Sequence, residues 1–140
     1  MDSALSTRRH LYQYEPLRDV HEVRLLVLAP GAHSDEIRCE LKHYFLSSIP
    51  KFDALSYAWG DISMSREVLC NNECIPVTES IFIALHYLRH KDLGRTIWVD
   101  AICINQGSNV EKSHQVALMR RIYSQAQKTL VWLEIGRAHV

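Results

Sequence analysis

The sequence predicts an α/β domain with a parallel central sheet flanked by helices and an antiparallel β extension at its N-terminus. Residues 96–133 follow the order strand, polar loop, helix and strand, which is typical of a βαβ unit. An earlier apolar run, residues 52–59, stops on the dipeptide Gly60-Asp61 and predicts another buried strand. At 140 residues, the chain is long enough for one domain with one core.

The composition indicates a globular protein and gives no general reason to expect nucleic acid as a partner. Apolar residues make up 47% of the chain, and sixteen basic side chains balance sixteen acidic ones. No apolar run approaches the ~20 residues that span a bilayer, and the N-terminus lacks the apolar region of a secretory signal. Four irregularly spaced cysteines lie in or beside apolar segments, so we expect buried free thiols and a cytoplasmic location.

The first fifty residues predict an arm followed by a two-stranded β extension. Residues 1–20 are mixed and polar, and we interpret them as a loosely attached arm. The extension spans residues 21–51, and its first strand, His21–Leu28, is rich in apolar side chains and stops at Pro30-Gly31. Glu36–Leu46 nearly alternates between polar and apolar residues, so we expect it to pair with that strand.

A β-hairpin and a helix are predicted next along the chain. The dipeptide Asn71-Asn72 separates two short apolar runs, and asparagine tolerates the positive φ of a hairpin turn. Pro76 cannot donate a ladder hydrogen bond, so its strand is expected at a sheet edge. Thr78 predicts the N-cap of a helix from Glu79 to about His90.

A longer helix is predicted over about residues 109–125. Ser108 and Glu111 have the spacing of a capping box, in which each side chain accepts a hydrogen bond from the other residue's backbone N–H group. The predicted buried stripe of this helix comprises Val116, Met119, Ile122, Tyr123 and Ala126.

Polar and aromatic side chains cluster after two predicted parallel strands, where the ligand crevice of such a sheet lies. Gly60 would let a ligand approach the backbone, Trp59 offers a stacking face, and Asp61 supplies a charge. Glu111 and Gln115 stand about one turn apart at the start of the following helix. The predicted crevice residues are Tyr57, Trp59, Gly60, Asp61, Asp100, Cys103, Asn105, Gln106, Glu111 and Gln115.

Several of these residues also have a structural interpretation that the sequence leaves open. The turn at 59–61 also fits a core aromatic followed by a turn signal. Cys103 could be a nucleophile, which requires a base and a lowered pKa, or a buried structural thiol. Glu111 could serve only as a helix cap. No metal site is predicted, because neither the Cys70/Cys74 pair nor the His86/His90 pair has the further ligands that zinc needs.

Four blocks of sequence follow one another along residues 52–133: FDALSYAWGD, IPVTESIFIALHYLR, TIWVDAICINQ and EKSHQVALMRRIYSQAQKTLVWL. Together these blocks resemble the fungal heterokaryon incompatibility (HET) domain. The sequence departs from the usual family pattern at Lys112, where the family usually has arginine, and at Glu134, where it usually has glycine.

The resemblance implies the effector module of a protein in fungal non-self recognition, where fusion of incompatible cells triggers programmed cell death. The partners it implies are other domains of the same or a partner incompatibility protein, and further copies of the chain. The family is also distantly similar to TIR domains, which implies a TIR- or flavodoxin-like sheet that this chain contains incompletely. Some TIR domains cleave NAD, which would then be a substrate; no cofactor is predicted.

The resemblance leaves open whether the domain is an enzyme. The catalytic glutamate of NAD-cleaving TIR domains would fall after residue 133, so it cannot be carried over to this sequence. A Cys103-dependent hydrolase is the remaining alternative. Residues 134–140 do not continue the pattern, and one codon choice for them spells a common sequencing adapter. We therefore expect a non-native tail and a HET domain truncated at its C-terminus.

Overall fold

A computed structural model of the chain describes residues 9–57 and 62–132. Its strands are β1 (Glu22–Leu28), β2 (Arg38–Phe45), β3 (Asp53–Tyr57), β4 (Arg66–Cys70), β5 (Glu73–Val77), β6 (Arg95–Trp98) and β7 (Lys128–Trp132). Its α-helices are α1 (Glu79–Leu88), α2 (Asp100–Cys103) and α3 (Asn109–Gln125), and a 3-10 turn covers Leu46–Ser48. The predicted α/β class is confirmed.

The strands that the structure describes form one mixed sheet in the order β5-β4-β2-β1-β6-β3-β7. Strands β6, β3 and β7 run parallel to one another, as the predicted βαβ unit requires. β1 runs antiparallel to both of its neighbours, β2 and β6. The prediction of a parallel central sheet is therefore correct for the β6-β3-β7 side and for the pair β2 and β4, but wrong for β1, β2 and β5, which each have an antiparallel neighbour.

The position of β1 explains why the sheet is mixed. Val23, Leu25, Leu26 and Leu28 are almost fully buried, so this strand is apolar on both faces. Such a strand is most stable in the interior of a sheet, hydrogen-bonded along both edges. The predicted antiparallel pairing of the first two strands is confirmed, but β1 also joins the pair to β6 as part of the main sheet.

The hairpin formed by β4 and β5 has the predicted turn. Asn71 and Asn72 both adopt positive φ angles, 54° and 68°, which is the backbone of a type I′ turn. β5 ends the sheet order, as Pro76 indicates, but a short N-terminal stretch lies against it. Cys74 donates its backbone N–H to the His10 carbonyl at 2.8 Å and accepts from the Tyr12 N–H at 2.9 Å. The interpretation of this stretch as loosely attached is wrong at these residues.

Both long helices begin at the predicted cap residues. The Thr78 hydroxyl accepts a hydrogen bond from the Ile81 N–H at 3.3 Å, and the Ser108 hydroxyl accepts from the Glu111 N–H at 3.2 Å. The stripe predicted for α3 is partly wrong, because Val116 is 61% exposed. The buried positions of α3 are Gln115, Leu118 and Ile122.

The buried core lies between the sheet and its helices, with Trp98, Val99 and Ile102 among its most enclosed side chains. Trp98 meets the ring of Tyr123 on α3 edge-on, with 5.4 Å between the ring centroids. The short helix α2 packs against β1. Among the described residues, no helix is long and apolar enough to cross a bilayer.

Candidate functional site

Two predicted site residues are in contact at the end of the sheet toward which β3 and β6 both run. Ala54 and Trp98 are paired in the parallel ladder, so Tyr57 and Asp100 project from the same edge. The Tyr57 hydroxyl donates a hydrogen bond to Asp100 Oδ1 at 3.2 Å. Burial, with the nearby Asp100 carboxylate, raises the pKa of Tyr57 above its usual range. The phenol is therefore a donor at neutral pH.

Three predicted residues of the same edge, Trp59, Gly60 and Asp61, lie outside the described residues.

Cys103 lies in the interior, at the C-terminal end of α2. It is fully buried, and this burial raises the pKa of its thiol to about 12. The thiol points to the Ile97 carbonyl, with 3.9 Å between sulfur and oxygen. A protonated thiol enclosed by apolar residues is a poor nucleophile, so the structural interpretation of Cys103 is favoured. Cys39, Cys70 and Cys74 are also buried and free.

Asn105 and Gln106 shape the loop between α2 and α3. The Gln106 side-chain amide donates to the Asp100 carbonyl at 3.0 Å, and Asn105 Oδ1 accepts from the Gly107 N–H at 3.0 Å. These contacts tie the loop to the start of α2 and close a local Asx turn. In the described structure, the side chains of both residues therefore take part in positioning the loop.

Glu111 forms a buried ion pair that sequence reasoning missed. Its two carboxylate oxygens accept from the Arg24 guanidinium at 2.6 and 2.9 Å in a bidentate arrangement. One of these oxygens also accepts from the Asn105 N–H at 2.7 Å. The predicted capping box is thus half correct: Ser108 caps Glu111, but the Glu111 carboxylate turns to Arg24 and Asn105. The Glu111 carboxylate therefore holds Arg24 and the loop before α3, which goes beyond the capping role that the sequence suggested.

Arg24 links four parts of the chain from the middle of β1. Its side chain is completely buried. Besides the contact with Glu111, it donates to the Cys103 carbonyl at 3.1 Å and to the Glu15 carbonyl at 2.8 Å. The Tyr14 ring lies 4.9 Å from the guanidinium carbon, at cation–π distance. The signal in the sequence was Arg24 within a largely apolar strand, because a buried charge needs a buried partner.

Three of the predicted site residues line a cleft of about 380 Å³. The cleft lies between residues 14–20 and the first turns of α3, and Asn105, Glu111 and Gln115 contribute to its wall. Gln115 is 1% exposed and donates its side-chain amide to the Glu22 carbonyl at 2.9 Å. Neither Tyr57 nor Asp100 lines this cleft. The structure therefore divides the described candidates between a sheet edge, a cleft and the interior.

The described residues contain no group of three or more histidine, cysteine or acidic side chains arranged to hold a metal ion.

Comparison with known proteins shows to which family this chain belongs. The chain belongs to the heterokaryon incompatibility (HET) protein family, whose sequence profile matches residues 52–140. It is similar to heterokaryon incompatibility protein 6, OR allele, of Neurospora crassa, with 40% identity over 125 residues. That alignment covers 79% of this chain and 18% of the Neurospora protein. The resemblance found in the sequence is therefore confirmed, and no solved structure matches the chain.

Proposed function

We propose that this chain is the effector module of a fungal incompatibility protein and that it contributes to programmed cell death after incompatible cells fuse. The observation that carries the proposal is its 40% identity to a protein named for heterokaryon incompatibility. The module would act in the cytoplasm, with partners among the other domains of the same or a partner incompatibility protein and further copies of this chain.

We place the activity at the end of the sheet where β3 and β6 reach their carboxyl termini. Open α/β sheets bind ligands beyond the carboxyl ends of parallel strands. Here that edge carries a phenol and a carboxylate already in contact, Tyr57 and Asp100. Their hydrogen bond prepares an acceptor oxygen on Asp100 beside a fixed aromatic ring, a combination suited to a ligand with hydroxyl groups.

Inducible expression of the full chain in a filamentous fungus, with the fraction of dead cells counted by vital-dye uptake, tests the effector role. The wild-type chain is expected to kill cells, and the double variant Tyr57→Phe/Asp100→Asn is expected to kill fewer. A matched control is Tyr87→Phe/Asp92→Asn, because both of those side chains are exposed. Absence of death at confirmed levels of folded wild-type protein contradicts the proposal.

The second candidate is a TIR-like NAD glycohydrolase within the same domain. Three adjacent parallel strands, β6, β3 and β7, with a polar pair at their carboxyl ends favour it. In this reaction water replaces nicotinamide at the ribose carbon, giving ADP-ribose and nicotinamide. Trp59 would stack on a base, and Asp61 or Asp100 would hold a ribose. Incubation with NAD and chromatography for nicotinamide tests it; absence of release from folded protein that kills cells refutes this activity while leaving the effector role intact.

A Cys103-dependent hydrolase is the weakest alternative, because the thiol is enclosed and protonated. Full cell-killing activity in a folded Cys103→Ser variant would exclude it.

A further inference from the structure

The two outer strands of the sheet differ in what lies beside them. At one side, the stretch around Leu11 runs along β5 and exchanges backbone hydrogen bonds with Cys74. At the other side, β7 pairs with β3, and no described residue pairs with its outer edge. Proteins usually block such an edge with proline, a bulge or charged residues, because it can accept a further strand. β7 has the sequence KTLVW, with no proline and a single charge.

The backbone groups on the outer edge of β7 belong to alternate residues. Just before the strand, Gln127 donates its N–H to the Phe52 carbonyl at 2.7 Å, so its backbone groups face β3. Because this direction alternates along a strand, every second residue after Gln127 also faces β3. The N–H and C=O groups of Lys128, Leu130 and Trp132 therefore face outward. A further strand can bond to these three residues without disturbing the ladder between β3 and β7.

The side chains of β7 are complementary to a second copy of the same strand. Val131 is 65% exposed and Thr129 is exposed, so two β-branched residues that favour strand pairing lie at the surface. Antiparallel pairing centred on Leu130 sets Thr129 of each copy opposite Val131 of the other. The same pairing sets Lys128 opposite Trp132, and a lysine beside an indole ring is a favourable cation–π arrangement.

The charge on β7 favours the antiparallel direction. Lys128 is its one charged residue, and parallel pairing in register would place two lysines side by side, which is unfavourable. In the antiparallel pair the two lysines lie at opposite ends, about 14 Å apart, which exceeds the screening length at physiological salt. Sixteen basic and sixteen acidic side chains balance in the whole chain, so net charge does not keep two copies apart.

We propose that two copies of this chain associate through β7, antiparallel and centred on Leu130, so that their two sheets become one. The pairing forms about six backbone hydrogen bonds, two for each outward-facing residue and its partner. Two five-residue strands bury a small area, so the dissociation constant is expected to be on the order of 10–100 µM. The proposal rests on the role of further copies as partners in the proposed function, but its test does not use cell death, so either can fail alone.

Sedimentation equilibrium of the full chain from about 5 to about 500 µM tests the pairing, and the wild type is expected to pass from monomer to dimer. Thr129→Lys/Val131→Lys sets like charges directly opposite each other at two places and is expected to weaken dimerisation by about tenfold. The matched control, Thr129→Lys/Val131→Glu, sets opposite charges at the same places and should dimerise at least as tightly as wild type. Both positions are exposed, and circular dichroism checks that each variant is folded.

Amide hydrogen exchange, read by NMR, tests the wild type without any variant. The Leu130 N–H is expected to exchange slowly at high concentration and faster on dilution, whereas the Val131 N–H, which faces β3, should be protected at both.

Three results would overturn the proposal. The first is a wild type that stays monomeric at about 500 µM. The second is dimerisation of both double variants to the same extent, whether retained or lost, because it would exclude the stated register. The third is a Leu130 N–H that is protected at every concentration in a monomer, which would show that another segment of the same chain covers the edge.

Discussion

Replacing Glu111 by alanine is expected to destabilise the protein by about 3–5 kcal/mol, the usual effect of leaving one member of a buried ion pair without its partner. The Arg24 side chain is 0% exposed and that of Glu111 is 11% exposed, so loss of the carboxylate leaves a guanidinium with little contact with water. The variant also loses the acceptor of the Asn105 N–H. Since domains are stable by about 5–15 kcal/mol, this loss removes a large fraction of the stability.

Urea unfolding followed by circular dichroism measures the effect as a change in midpoint at constant slope. The double variant Arg24→Met/Glu111→Leu is expected to recover at least half of the loss, because an apolar pair leaves no buried charge. The control is Glu79→Ala, which removes an exposed ion pair to Arg66 at 3.3 Å and should cost about 1 kcal/mol or less.

Two results would refute the reasoning about this ion pair. One is a Glu111→Ala protein within about 1 kcal/mol of wild type, which would mean that Arg24 finds solvent or another acceptor. The other is a double variant as unstable as the sum of the two single variants, since the pair would then carry no coupling energy.

Four further predictions concern single features of the fold. Cys103 should resist iodoacetamide at pH 8 in the native protein and react in urea, as read by mass spectrometry, because burial raises its pKa to about 12. Because the pKa of Tyr57 is raised in the folded protein, folding favours the neutral phenol. The contribution of Tyr57 to the free energy of unfolding is fully present below about pH 10, the pKa of tyrosine in the unfolded chain, and is lost as the pH rises through the pKa in the folded protein. Tyr57→Phe should therefore make the alkaline fall in urea midpoint shallower. Asn71 has a φ of 54°, so Asn71→Gly should be tolerated and Asn71→Val should lower stability by about 1–2 kcal/mol in the same assay. A chain beginning at Phe52 should fail to show a cooperative thermal transition, whereas the full chain should show one, because β1 and β2 lie between β4 and β6.

Local signals in the sequence predicted local structure well. The cap at Thr78 and the turn at Asn71-Asn72 depend on residues within a few positions of one another, and both are present. Likewise, two apolar runs that each end in polar residues predicted two parallel strands, and β3 and β6 are parallel. Contact between Tyr57 and Asp100 is a direct consequence of that pairing.

Long-range features could not be read from the sequence in the same way. The ion pair between Arg24 and Glu111 joins positions 87 residues apart, and no local pattern specifies such a partner. The position of β1 between β2 and β6 is likewise a long-range feature, because β1 and β6 lie far apart in the sequence. The buried stripe of α3 was misplaced because a polar residue, Gln115, occupies a buried position that an apolar pattern does not mark.

The segment before the family match is physically part of the same domain. The HET profile begins at residue 52, yet β1 precedes it and supplies the strand that pairs with β6. Arg24 on β1 holds the carbonyl of Cys103 and the carboxylate of Glu111, so it fixes both ends of the loop between α2 and α3. α2 begins with Asp100 just after β6, and the loop leads from its last residue, Cys103, to the start of α3. Because one buried cation contacts the residues on both sides of this loop, a change that displaces Arg24 is expected to move the loop relative to β1 and, through α2, the carboxylate of Asp100. The N-terminal strand is therefore expected to influence the candidate site although it lies outside the family match.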